Sequence, residues 1–132
     1  MNFSKYNAKD VVITVDGVHI TGLGENMWNF EKNEALAENS VGAQGDVCRT
    51  EKNDPLHKAI VTVQRTSPQY NFLASLKDRT EPFPVWCNNK ALGIKEGGSM
   101  ALVDEKPASS FGATADDAEF AFTVYDGETI IE

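Results

Sequence analysis

The chain has 132 residues, 41% of them hydrophobic and 24% charged, with a formal net charge of −8. That length is most simply one domain, residues 1–132, able to bury a core, and no apolar run approaches the ~20 residues that span a bilayer. The acidity works against a role on nucleic acid or on anionic membranes, and it is uneven: from residue 101 onwards eight carboxylates stand against Lys106 alone.

Residues 1–9 read as a polar N-terminal arm. The stretch Met1-Asn2-Phe3-Ser4-Lys5-Tyr6 lacks an apolar h-region, so no secretory signal is expected. Asp10-Val11-Val12-Ile13-Thr14-Val15, then Asp16-Gly17, then Val18-His19-Ile20-Thr21-Gly22 predicts a β-hairpin. Asp-Gly between apolar runs suits a type I′ turn, whose two central residues need positive φ. The two-residue loop places Val15 opposite Val18, Thr14 opposite His19 and Ile13 opposite Ile20. Val11, Ile13, Val15, Val18 and Ile20 then share the core face.

Met27, Trp28 and Phe30 are strand-like, and the segment after them, 31–40, is polar with almost no apolar stripe. Propensity allows a short helix at 33–38, but a long polar hairpin over about 27–47, returning through Val41-Gly42-Ala43-Gln44-Gly45-Asp46-Val47, fits better. Such a hairpin has too little apolar surface to stand alone and needs a partner. Residues 49–57 read as a charged loop closed by Pro55.

Lys58-Ala59-Ile60-Val61-Thr62-Val63-Gln64-Arg65-Thr66 is a β-branched strand. Ser67-Pro68 then opens a helix over about 67–79, with Ser67 as N-cap and Pro68 at the first helical position. Phe72, Leu73 and Leu76 form its packing stripe, Lys77 and Arg79 suit the negative end of its dipole, and Pro82 and Pro84 stop it. Val85-Trp86-Cys87 is a short strand, Asn88-Asn89 a turn, Met100-Ala101-Leu102-Val103 another strand, and 107–112 a loop or irregular edge. The last strand runs from Ala118 to Tyr125 in strict alternation: Phe120, Phe122 and Val124 face the core, while Glu119, Ala121, Thr123 and Tyr125 face away. The expected fold is therefore mainly β, a sandwich or partly closed barrel of two packed antiparallel sheets with one flanking helix and a protruding hairpin.

Chemistry is sparse. His19, Cys48, His57 and Cys87 have no metal-site spacing and no nucleophile context. The two cysteines fit a reduced protein as well as one incidental disulfide. Adjacent acids on a strand point to opposite faces, so Asp104-Glu105 and Asp116-Asp117 do not form a dyad. Neither glycine cluster, Gly22-Leu23-Gly24 nor Gly42-Ala43-Gln44-Gly45, ends as a phosphate loop does. No cofactor, metal or catalytic residue is expected, and Trp28 and Trp86 read as core or interface.

The ordered pattern is nevertheless specific: Lys9-Asp10-Val11-Val12-Ile13-Thr14-Val15-Asp16-Gly17, the Gly42-Ala43-Gln44-Gly45-Asp46 turn, Ala59-Ile60-Val61-Thr62-Val63-Gln64-Arg65-Thr66-Ser67-Pro68 running into Phe72-Leu73-x-x-Leu76, and the acidic, aromatic last strand. It resembles the small tail tube proteins of tailed bacteriophages and of phage-tail-like particles such as contractile bacteriocins. The resemblance spans residues 10–125, with the strand-Thr-Ser-Pro-helix junction its most specific part. It implies a non-enzymatic virion structural protein whose hexameric rings stack into a hollow tube, a conduit for DNA or effector. The tube's expected partners are sheath, tape measure and baseplate or initiator proteins, with no stable nucleic-acid binding and no membrane insertion. The implied location is a virion tail or tail-like particle, after synthesis in a bacterial host's cytoplasm. The resemblance puts Trp28, Phe30, Glu31, Lys32, Glu34, Glu38, Gln44 and Asp46 on an inter-subunit or lumen hairpin. It leaves Asp104, Glu105, Asp116, Asp117 and Glu119 as acidic lumen or surface candidates. Two other readings stay open: a monomeric β-sandwich binding module, and a small enzyme using His19 or His57 as base.

Overall fold

A computed structural model describes residues 1–109 and 111–131. Among the described residues, ten strands and one short α-helix follow one another: β1 (Val11–Val15), β2 (Val18–His19), β3 (Leu23–Lys32), β4 (Ala37–Val41), β5 (Val47–Glu51), β6 (His57–Gln64), α1 (Tyr70–Ser75), β7 (Phe83–Asn89), β8 (Ile94–Glu105), β9 (Asp117–Val124) and β10 (Glu128–Ile131). Every strand pair is antiparallel. The main sheet has the order β2-β1-β7-β8-β9-β6-β3, with β10 also on β8, and β4 and β5 form a separate two-stranded ribbon. Among the described residues the main sheet does not close into a barrel; it ends on β2 and β3.

The expected sandwich is present, but its two layers are halves of one hydrogen-bonded sheet. The first half of β8 pairs with β7 and β10, and the second half pairs with β9. The sheet folds over at this strand, so Ile13, Val15 and Ile20 from one end share a core with Val61, Val63, Phe120 and Val124 from the other. Phe83 on β7 meets Phe122 on β9 edge-to-face, centroids 6.0 Å apart. Gly97 and Gly98 lie in the half of β8 that pairs with β7. Gly97 has φ +135°, and a Cβ there would run into the Val85 carbonyl, so only glycine fits.

The β1–β2 hairpin has the predicted register, Thr14 opposite His19 and Val15 opposite Val18. Asp16 (φ 51°) and Gly17 (φ 78°) take the two positive-φ positions. One residue departs from the expected core face: Val18 is 37% exposed, on a two-residue strand at the edge of the sheet. The turn is tied down by Arg79, whose guanidinium pairs with Asp16 at 2.8 Å and lies over the Phe83 ring. Arg79 therefore serves this turn rather than the helix dipole.

The helix lies within the expected span but is short. α1 begins at Tyr70, and a 3₁₀ turn, Leu76–Asp78, continues it. Pro68 and Gln69 are in a turn instead, because Ser67 is committed elsewhere: its Oγ donates to the Thr21 carbonyl (2.6 Å) and accepts the Gln69 N–H (3.3 Å). Leu73 and Leu76 are buried as predicted.

Three strand boundaries differ from expectation. Asn88 and Asn89 continue β7, and the turn falls at 90–93. β8 extends well beyond 100–103 at both ends. The loop expected over 107–112 includes Ser110, which lies outside the described residues. β9 carries Phe120, Phe122 and Val124 inward as predicted, and Ala121 is buried too.

After β9 the chain does not stop. β10 keeps the same register against β8 that β9 holds, Ala101 opposite Val124 and Gly97 opposite Glu128. The two strands are one track interrupted at 125–127, and Asp126 bridges the gap. Its carboxylate accepts the Ser99 hydroxyl, the Ser99 N–H (3.2 Å) and the Met100 N–H (2.9 Å). Partial burial disfavours the ionised carboxyl, but the Ser99 hydroxyl and these amides outweigh it and hold its pKa below the usual value. A depressed carboxyl stabilises the fold above its unfolded value of ~3.9 and loses that contribution as pH falls through its folded value. Asp126→Asn is therefore expected to melt below wild type at pH 7 and at pH 5, with the difference vanishing only below pH ~4. Thermal melts across pH check this; a difference already gone at pH 5 contradicts it.

Candidate functional site

The feature that stands apart from the core is the β4–β5 ribbon. Its turn is built by glycine: Gly45 has φ 91° and its N–H bonds the Gly42 carbonyl (3.0 Å), while the Gly42 N–H bonds the Asp46 carbonyl (2.8 Å). This is a three-residue loop with a left-handed glycine closing it. Pairing runs from Val41–Val47 at the tip to Ala37–Glu51 at the base. Every residue of both strands is exposed except Ala37, which is half-buried. Val41 and Val47, directly opposite one another, are 68% and 69% exposed. Both outer edges of the ribbon offer unpaired backbone groups, and an isolated two-stranded ribbon of this kind is marginal in water.

The hairpin expected over 27–47 is thus displaced to 37–51. Met27, Trp28 and Phe30 belong to β3, which pairs with β6, not with the return strand. Sequence could not separate these alternatives, since 23–32 and 37–51 both carry strand-compatible residues and the discriminating partner, β6, is remote. Residues 49–51, expected in a loop, complete β5.

The predicted residues fall into three groups. Trp28 and Phe30 anchor β3 to the core: Trp28 Nε1 donates to Glu96 Oε1 (2.8 Å), and Trp28, Phe30 and His57 stack in a row at 5.8 and 4.7 Å. Glu31 and Lys32 end β3 opposite Lys58 and His57, and Glu34 is exposed in the link to β4. Glu38, Gln44 and Asp46 lie on the ribbon, with Glu51 and Arg49 beside them.

The acidic group is elsewhere. Asp104 and Glu105 end β8, and Asp116, Asp117 and Glu119 surround the start of β9. Asp117 pairs with Gln64, at one end of β6, whereas the ribbon departs beside His57, at the other. The structure therefore separates the ribbon from Asp116, Asp117 and Glu119 along β6, whereas Glu105, opposite Ala121 and so across β9 from Ile60, lies nearer the ribbon's end of that strand. Asp117 also has an internal duty, accepting the Glu25 N–H (3.3 Å).

Other chemistry is not assembled. Among the described residues, no three His, Cys, Asp or Glu side chains gather as a metal site, and no helix is long and apolar enough to cross a membrane. His57 Nδ1 donates to the Pro55 carbonyl (2.8 Å), a local structural bond. Cys48 is exposed on the ribbon and Cys87 is buried, both as free thiols. Burial, helped by Glu96, pushes the Cys87 thiol up to about 12, leaving it inert. Native protein is expected to react with one equivalent of a thiol reagent, the second appearing only on unfolding; two fast equivalents would contradict this burial.

No protein-family model and no curated protein sequence matches the chain. Solved structures do. One is a chain from the sheath-tube complex of an extracellular contractile injection system, PVC, in its extended state: TM-score 0.68, 10% identity, 97% of this chain and 93% of that one. Another is from the PVC sheath/tube terminator: TM-score 0.66, 8% identity, 97% and 98% coverage. A third is the tube-terminating cap of the anti-feeding prophage: TM-score 0.61, 7% identity, 100% and 95% coverage. The match runs over essentially the whole length of each chain, so this protein has the fold found in these tube and tube-terminating assemblies of contractile injection systems.

Proposed function

We propose that this chain is a structural subunit that assembles with copies of itself into stacked rings, hexameric by resemblance, forming the inner tube of a contractile phage-tail-like particle. The observation that supports this most is the ribbon: two strands held off the core with both edges unpaired and an apolar pair, Val41 and Val47, facing solvent. Neighbouring copies would pair those edges and cover that surface. The ribbon leaves the sheet beside His57, across β9 from Ala101 in the middle of β8, a position suited to contacts within a ring. Glu38, Asp46 and Glu51 against Arg49 would give an inner wall that does not hold phosphate, so DNA or an effector could pass. Sheath, tape measure and baseplate proteins would complete the particle.

Sedimentation over a concentration series tests this reading. A ring-forming subunit shifts to larger species as concentration rises, whereas a monomeric binding module does not. A second reading is a tube terminator, favoured because a terminator and a terminating cap match at similar TM-scores. A terminator forms rings that bind one end of a tube and do not stack on one another, so electron microscopy of the larger species separates the two.

A further inference from the structure

The two ends of β8 carry opposite chemistry. At the first end, Ile94 pairs with Asn89 and Asn89 with Val11, so residues 1–7 leave the sandwich there. Their root is fixed: the Asn7 side chain accepts the Lys9 N–H (3.0 Å) and the Lys90 N–H bonds the Asp10 carbonyl (3.2 Å). Beyond the root, residues 1–6 are exposed. Phe3 is 84% and Tyr6 64% exposed. Residues 1–9 include Lys5 and Lys9 and no carboxylate, in a chain of net charge −8.

At the other end, past Glu105, the chain loops back to β9. There Arg65, Thr66 and residues 111–115 surround a cavity of about 400 Å³, with exposed Phe111 in its wall. A site of that size accommodates an aromatic side chain. The surrounding surface is acidic: Glu105, Asp116 and Glu119 are all exposed. Lys106 is also at this end, and Arg65 is occupied with the Tyr70 hydroxyl (3.2 Å) and the Ala108 carbonyl (3.1 Å).

We propose that the arm of one copy docks on this acidic end of a second copy, with Phe3 entering the cavity and Lys5 facing Asp116 and Glu119. The inference rests on the tube reading and names the contact that stacks one ring on the next. Three features favour a second copy as the occupant. The arm is basic and aromatic where its receptor is acidic and hollow. The two surfaces lie at opposite ends of one twelve-residue strand. A contact between unlike ends repeats in one direction without closing on itself, which is how a stack grows.

Phe3→Ala/Lys5→Glu tests it, alongside Asp116→Lys/Glu119→Lys and a variant combining Lys5→Glu with both lysine substitutions. All these positions are exposed, so thermal melts should match wild type. Removing one buried aromatic per contact and reversing a charge is expected to raise the protein concentration needed for stacked tubes at least ~10-fold while single rings persist. The charge-swapped combination should recover most of the loss caused by Lys5→Glu alone, and high salt should weaken wild-type stacking in the same way. Wild-type tubes together with unimpaired tubes from Phe3→Ala/Lys5→Glu would overturn the arm contact and leave the tube reading intact. A wild-type protein that makes neither rings nor tubes overturns both.

Discussion

Removing residues 37–51 and joining Leu36 to Lys52 through a short glycine link will give a folded monomer that forms no rings and no tubes at any concentration. The junction is short because the Lys52 N–H already bonds the Leu36 carbonyl at 2.9 Å. The deleted residues contribute almost nothing to the core, since all but Ala37 are exposed. The thermal midpoint should therefore move by no more than ~2 °C, about half a kcal/mol in a domain of this length. Assembly should be lost completely, because the ribbon supplies both unpaired edges and the Val41–Val47 surface. Electron microscopy and thermal melts read the two effects separately. Tubes from the deletion variant would show that the ribbon is not the ring contact.

Phe122→Ala should do the reverse and act on the monomer. Phe122 is fully buried and packs edge-on against Phe83, joining β7 to β9 across the bent strand β8. Loss of the ring removes its transfer free energy and leaves a cavity that the surrounding strands cannot close, a cost of ~3–5 kcal/mol. That is a large part of the ~5–15 kcal/mol that holds a domain of this size together. Urea unfolding should show a lower midpoint with the slope unchanged. A change below ~1 kcal/mol would mean that the two layers do not share this core.

The parts of this fold that local chemistry controls were legible from sequence. Asp16-Gly17 can make a tight hairpin with one register only, and the observed pairing is that register. Phe120, Phe122 and Val124 alternate strictly, and all three are buried. The Phe72-Leu73-x-x-Leu76 spacing put a helix in the right place, although Ser67, bonded to Thr21 far away in sequence, delayed its start. What depended on distant partners was not legible. Trp28 and Phe30 look the same whether they pair with a return strand or with β6, and the choice of β6 moved the hairpin from 27–47 to 37–51. The continuation of β9 into β10 was hidden for a similar reason. Asp126 reads as a turn residue, and only the Ser99 and Met100 amides it binds show that it bridges one continuous track. The acidic residues were visible, but the separation of Asp116, Asp117 and Glu119 from the ribbon along β6 is a matter of topology.

The most direct test of the tube account is negative-stain electron microscopy of the purified protein at high concentration, with and without tube fragments as seeds. The account predicts hollow rings or stacked tubes of uniform diameter. Particles that stay small and monodisperse under both conditions would contradict it.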